Sequence, residues 1–435
     1  MEEDSLTDQT GFAISVAQNP YLPPDETTMY AVATVEFAPA EETRADVAEI
    51  IVIDRSGSMA GPKFEEAKRA AKAALGAVRA DASFALIAGG TRATELYPGG
   101  GRLAGGSEEH KEAAARAIDA MKLGSATSIG AWLRRAADIA ATRPAAIGHV
   151  LLLTDGQVNQ LPSVYDTDLD YCKGKFACDA IGIGTGWNAE ELGRIARLFH
   201  GTREYCRDLP DLADFFTAAS ERAMGKAVDG IELVVKGPKG FELKGLWQAY
   251  PVERDLLPGG RESAGRRTAF DLGAWGAERR QYLMELAFPA TGTGYRRDVR
   301  LELVRRGEAV AGGLVSAQWT DNPAESEAFH PDVVHHRTQL AGIEHIRRGL
   351  RYWHERNPAA ATHQLLTALE HAEQVGNRDQ AESIREFLDF DGRGNATIRT
   401  DASGGRALWL ATRGDYTVHT PSSREAGDDE EGGGS

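Results

Sequence analysis

Only three of the 435 residues are cysteine: Cys172, Cys178 and Cys206. Their number is odd and they fit no zinc-ligand spacing, which argues against a disulfide-framed secreted scaffold and against a zinc finger. They read as reduced, partly buried thiols of a reducing compartment, with a Cys172–Cys178 disulfide as the other reading. There is no apolar run of about 18 residues or more, so no helical membrane span is expected. Basic residues are in deficit, 49 Lys and Arg against 65 Asp and Glu, which leaves a formal charge of −16. A surface of that sign repels nucleic-acid phosphates and anionic lipid, so neither nucleic acid nor membrane is an expected partner, whereas a divalent cation is favoured. The opening Met1-Glu2-Glu3-Asp4 lacks the basic start and apolar run of a secretory signal, and the expected compartment is the cytoplasm. Also missing are a Walker lysine loop and a Gly-x-Ser-x-Gly elbow. No base, nucleophile and orienting group stand together, so the chain reads as a binding module and not an enzyme, with no catalytic residue assigned.

Hydrophobic content of 42% with 26% charged residues is that of a globular protein, and the length suggests about two to four domains. Residues 1–10 are polar and acidic and are expected to be disordered. Residues 11–40 hold two stretches of strand character, 12–17 and 29–37, with Asn19-Pro20 and Pro23-Pro24 turn chemistry between them. From 43 to 225 strands alternate with helices. The run 49–54 (EIIVID) is almost continuously apolar, as a parallel strand covered on both faces must be. Next comes a helix over 62–78, with Pro62 near its start and Phe64, Ala67, Ala70, Ala71 and Leu75 at helical spacing. Further strands are expected at 83–89, 149–154, 176–184 and 202–206, and helices at 108–121, 129–141, 189–199 and 209–224. Such alternation predicts an α/β, doubly wound, Rossmann-like fold with a mainly parallel sheet, which binds ligands outside the carboxyl ends of its strands.

Between 228 and 320 the helical signal disappears. Runs at 231–236, 241–249, 267–272, 281–288, 297–304 and 314–319, separated by Gly and Pro, predict a β-sandwich domain. The two early strands have no partners inside an α/β domain, so they are expected to join the sandwich, with the α/β domain inserted into it. A C-terminal helical segment spans 331–390, broken at Asn357-Pro358 and Gly376-Asn377. Residues 395–419 are expected to form a short strand pair. Residues 420–435, with Asp428-Asp429-Glu430-Glu431 and a glycine run, are expected to be an acidic disordered tail.

Asp54-Arg55-Ser56-Gly57-Ser58 follows the apolar strand directly and precedes a helix. Alone, Asp-x-Ser-x-Ser is a weak signal, because turns are rich in these residues. Two further pieces sharpen it. Gly124-Ser125-Ala126-Thr127 lies in a loop before an amphipathic helix, and Leu153-Thr154-Asp155-Gly156 lies at the carboxyl end of a second buried strand. All three fall on one edge of the expected sheet.

In this combination, residues 43–225 resemble the von Willebrand factor A domain and its metal-ion-dependent adhesion site. The resemblance implies a metal bound by Asp54, Ser56, Ser58, Thr127 and Asp155. Two carboxylates and three hydroxyls, without thiol or imidazole, suit Mg²⁺, with Mn²⁺ or Ca²⁺ as substitutes. In sites of this family Ser56, Ser58 and Thr127 would bind the metal directly once a ligand is present. Asp54 and Asp155 would then act through water. One open position would take an Asp or Glu side chain of a protein partner. Many relatives have Gly-Gly-Thr where this chain has Ser125-Ala126-Thr127, a departure that stiffens the loop but keeps the ligand.

The layout as a whole is similar to that of bacterial, notably actinobacterial, cytoplasmic proteins of the same family. That similarity implies a forkhead-associated protein or a Ser/Thr kinase as a partner, and Thr417 and Thr420 as phosphorylation candidates. The leading expectation is a metal-dependent protein-interaction scaffold. An adaptor for an AAA+ ATPase of the chelatase or MoxR kind is one alternative, and a metal-dependent hydrolase another.

Four other features carry bland readings. Gly182-x-Gly184-x-Gly186 breaks the dinucleotide spacing at Trp187 and reads as a strand-to-helix turn. Asp166, Asp168 and Asp170 lack the Gly and Glu of a calcium loop, Tyr171 and Ala177 standing in their places, and read as a solvated loop or helix start. His335, His336, His345 and His354 are not spaced as a metal face and read as surface or core residues. Arg413-Gly414-Asp415 reads as a chance match to the integrin-binding tripeptide.

Overall fold

A computed structural model describes residues 11–39, 44–124, 126–156, 158–263, 266–289 and 291–419. The expected disorder at 1–10 and 420–435, together with Ser125 and Thr420, lies outside the described residues. The chain divides into two compact units. One comprises Pro39–Ile231 with Leu272–Ala277, the other residues 11–38, 232–271 and 278–419. Among the described residues no helix is long and apolar enough to cross a membrane.

The second unit begins with β1 (Phe12–Gln18), β2 (Tyr21–Leu22) and β3 (Thr28–Phe37). The chain then builds the α/β unit from β4 (Val47–Asp54), α1 (Pro62–Ala77), β5 (Ser83–Gly89), β6 (Thr94–Tyr97), β7 (Ala104–Gly105), α2 (Glu108–Asp119), α3 (Ile129–Ala140), β8 (Ile147–Thr154), α4 (Pro162–Cys172), β9 (Ala177–Ile183), α5 (Ala189–Leu198), β10 (Arg203–Cys206) and α6 (Leu212–Met224). Its strand order is β10-β9-β8-β4-β5-β6, with β7 also on β5. The first five strands are parallel, and β6 and β7 run antiparallel to β5. Every residue of β4 is buried, because α1, α2 and α6 share a core with Ile51 and Ile53 while α3 packs on β4, β5 and β8. This doubly wound arrangement is the one the alternation predicts.

The chain returns to the second unit through β11 (Ile231–Lys236), β12 (Glu242–Tyr250), β13 (Arg254–Asp255), β14 (Arg261–Ser263), β15 (Arg267–Asp271), β16 (Glu278–Ala287), β17 (Arg296–Arg305) and β18 (Glu308–Trp319). One sheet runs β1-β3-β16-β12-β13 and the other β14-β15-β11-β17-β18-β2. The early strand β3 therefore lies between β1 and β16, paired antiparallel to each. Helices α7 (Pro323–Ser326), α8 (Pro331–His354), α9 (Pro358–Gln374), α10 (Arg378–Phe387) and α11 (Gly404–Arg413) follow, with β19 (Leu388–Phe390) and β20 (Ala396–Ile398) before α11. Val333 of α8 joins Val32, Ala249 and Leu283 of the five-stranded sheet in one cluster. The far end of α8 shares a core with α9, α10 and α11.

Two stretches differ from the sequence reading. Within 395–419 only β20 is a strand, and it pairs back to β19. Residues 404–413 are helix α11, because Ser403 caps the Arg406 N–H and Ala407 and Leu410 face the helical core. The stretch with Asp166, Asp168 and Asp170 is helical throughout, started by Pro162 in the first turn.

Candidate metal centre

The site begins where β4 ends. Asp54 closes an apolar strand, so its carboxylate is carried to the sheet edge yet stays buried. One oxygen accepts the Ser56 N–H at 2.7 Å and the other accepts the Thr154 hydroxyl at 2.7 Å. Burial pushes the Asp54 carboxyl up from its ordinary value, against the pull of these hydrogen bonds, and the nearby Asp155 adds to the rise. Residues 57–59 form a single tight turn anchored by the buried Met59, which brings Ser58 back beside Ser56. The two hydroxyl oxygens stand 3.0 Å apart, and Ser58 Oγ donates to Asp155 Oδ1 at 2.6 Å. Asp155 Oδ2 is ion-paired with the Lys63 ammonium.

Thr127 arrives from the loop before α3. Its main-chain oxygen accepts the Asn159 N–H at 2.9 Å, and its Oγ1 lies where a β-carbon on Gly156 would come within 3.0 Å. A side chain at 156 would crowd the threonine where it stands against the loop that carries Asp155. Arg55 joins the loops by its main chain: its N–H donates to Gly89 O at 2.9 Å and its carbonyl accepts the Gly124 N–H at 2.5 Å. The five residues singled out from the sequence thus converge on one edge. Four make a continuous series of hydrogen bonds, and Thr127 stands beside them. Among the described residues no group of three or more His, Cys, Asp or Glu is placed to hold a metal, so the hydroxyl-rich donor set is what recommends this edge. These all-oxygen donors fit a hard divalent cation.

Sequence reasoning missed Thr154 and Lys63. Thr154 becomes visible only once strand ends are aligned, and Lys63 resembles any lysine of a first helical turn. The three aspartates of α4 each meet a cation, Asp166 with Arg194, Asp168 with Arg134 and Asp170 with Lys173, so they make no calcium loop. Gly182 lies under the Trp187 ring, where a β-carbon would stand 2.2 Å away, and Gly184 has φ of +69°, as a strand-to-helix turn demands. All three cysteines are free and buried, and burial raises each thiol's pKa. Arg413-Gly414-Asp415 is absorbed into the fold: Arg413 stacks over Trp409, Gly414 O accepts from Gln380, and Asp415 pairs with Arg347. Thr417 is buried, its N–H bonded to Pro251 O.

Residues 48–205 match the family model of the von Willebrand factor type A domain. The chain therefore carries a von Willebrand factor type A domain. It resembles a von Willebrand factor type A protein from Catenulispora acidiphila at 28% identity and a TM-score of 0.90, over 94% of this chain and 97% of that one. The similarity thus extends through both units. It also has the fold of the ArnB paralog VWA2 from Sulfolobus acidocaldarius, with 14% identity, 93% and 97% coverage and a TM-score of 0.61. No curated protein matches the chain.

Proposed function

We propose that this chain is a non-enzymatic, metal-dependent protein-binding module. Asp54, Ser56, Ser58, Thr127 and Asp155 hold one Mg²⁺, and an Asp or Glu side chain of a protein partner completes its coordination. The observation that carries the reading is the hydrogen-bonded series Asp54–Ser56–Ser58–Asp155 with Thr127 against Gly156. Neutral hydroxyls next to the metal leave it electrophilic, so it retains affinity for an incoming carboxylate. The surroundings support an anionic partner. In a chain of charge −16, the loops 55–61, 89–93, 121–128 and 156–161 contain Arg55, Arg92 and Lys122 and no carboxylate. Exposed Leu123 and Leu161 flank the site and offer apolar contact.

The other cluster resembling catalytic machinery does not compete. Ser220 donates to Glu49 instead of to the His149 imidazole, and the whole group is buried away from any substrate.

Calorimetric titration of Mg²⁺ into wild type and Asp54→Ala tests the metal site, and equal affinity in the two would reject it. Co-precipitation with wild type, folded Thr127→Ala and chelator-treated protein tests the open position. Thr127→Ala keeps both carboxylates and much of the metal affinity, but should capture less partner.

A further inference from the structure

The acidic half of the site already has a cation of its own. Asp155 is wholly buried at its side chain, and its two oxygens are taken by the Ser58 hydroxyl and the Lys63 ammonium. Asp54, by contrast, is held by hydrogen bonds from Ser56 and Thr154. Lys63 is the second residue of α1, and its side chain is 29% exposed, so its stem reaches inward from the rim. The stem passes Gly184, where even a β-carbon would stand 3.6 Å from Lys63 Cδ. A buried carboxylate needs a counter-charge, and here the chain supplies it from a flexible four-carbon arm with an open route back to solvent.

We infer that Lys63 is a built-in counter-ion that occupies Asp155 in the metal-free site and competes with the divalent cation for it. An ammonium and a divalent ion repel each other at one carboxylate, so metal loading requires the Lys63 head to leave Asp155. Metal affinity is then the difference between two ways of neutralising the same oxygen. Lys63 sets it low enough that the empty fold persists and the site fills only when free metal is abundant. This rests on the metal-site reading above.

The test uses the full chain as wild type, Lys63→Met and Lys63→Arg, each titrated calorimetrically with MgCl₂ and MnCl₂ and melted with and without metal. Lys63→Met keeps the bulk and loses the charge. It should bind metal about tenfold more tightly, melt at lower temperature when metal-free, and gain more from added metal than wild type does. Lys63→Arg keeps the charge and should stay near wild-type affinity. A Lys63→Met protein that folds only with metal present would support the inference as strongly. Equal or weaker metal binding by Lys63→Met, with wild type binding normally, would overturn the counter-ion role and leave the metal site standing. Absence of binding in all three proteins would overturn both.

Discussion

Each unit buries histidine, and the two do so in opposite charge states. In the α/β unit His149 lies between Glu49, 2.8 Å from Nδ1, and Asp179, 3.4 Å from Nε2. Thr202 donates to Asp179 from its N–H and its hydroxyl, and Arg222 pairs with it. Burial alone would lower the pKa of the imidazole, but the two carboxylates outweigh it and hold His149 up to about 10. In the other unit the His336 ring nitrogens meet side-chain amides and no carboxylate pairs with them among the described residues. Gln339 Nε2 is 3.3 Å from Nδ1, and Nε2 is 3.0 Å from Gln281 Oε1, the pattern of a neutral ring with one donor and one acceptor. There burial prevails, and with the adjacent His335 and His419 it pushes His336 down to about 3. The solvation cost points the same way in both places. Neighbouring charge decides the outcome.

The largest expected effect comes from removing the charged ring. His149→Ala leaves Glu49 and Asp179 buried without the imidazolium between them, and breaking such a group typically costs about 3–5 kcal/mol. Calorimetry near pH 6 should show the α/β unit melting well below wild type. An unchanged melting curve would mean that the ring is neutral.

Next comes pH, which should separate the units. A histidine whose pKa is raised by folding stabilises fully below the unfolded value of 6.5, and that contribution is lost as pH climbs towards about 10. His336 does the reverse: its contribution is complete above 6.5 and is lost as pH falls towards about 3. His335, lowered mainly by burial, moves in the same direction. Hydrogen exchange, corrected for intrinsic rates, should show β8 and β9 loosening on the alkaline side and the start of α8 on the acid side. The same direction in both units would break the comparison.

Smaller again is His336→Leu, which leaves the amides of Gln281 and Gln339 short of a partner and should cost about 1–3 kcal/mol while flattening the acid limb. Smallest is Ser403→Ala. Losing the cap of α11 should cost about 1 kcal/mol in urea unfolding and leave the α/β unit untouched.

The candidate edge was legible in the sequence because three kinds of signal coincide there: an apolar run at β4, a polar motif at its end, and another buried strand that ends just before Asp155. The alternating strands and helices were legible for the same reason, since a sheet covered on both faces leaves long unbroken runs. What escaped has physical causes. β6 is four residues long and ends at Tyr97, before Pro98 and three glycines, too short to show a period. α4 carries three aspartates, two of whose charges are met by Arg134 and Arg194 on neighbouring elements, which no local window contains. α11 opens on Gly404-Gly405 after its Ser403 cap, a start that reads as turn, and its helicity comes from the core it joins. Lys63 and His149 were invisible as functional or structural cations because Asp155 and Glu49, which they meet, lie 92 and 100 residues away.

Position 55 is the interior of the Asp-x-Ser-x-Ser motif and the place where any side chain would satisfy the pattern. Its peptide unit, however, is hydrogen-bonded on both sides, to Gly89 at the end of β5 and to Gly124 in the loop that delivers Thr127. The motif therefore tolerates spelling changes at this letter but not a change in its spacing. One residue inserted beside Arg55 would put three loops out of step at once. An engineer transplanting this edge onto another parallel sheet would need to carry over the glycine peptides at 89 and 124 along with Asp54, Ser56, Ser58, Thr127 and Asp155.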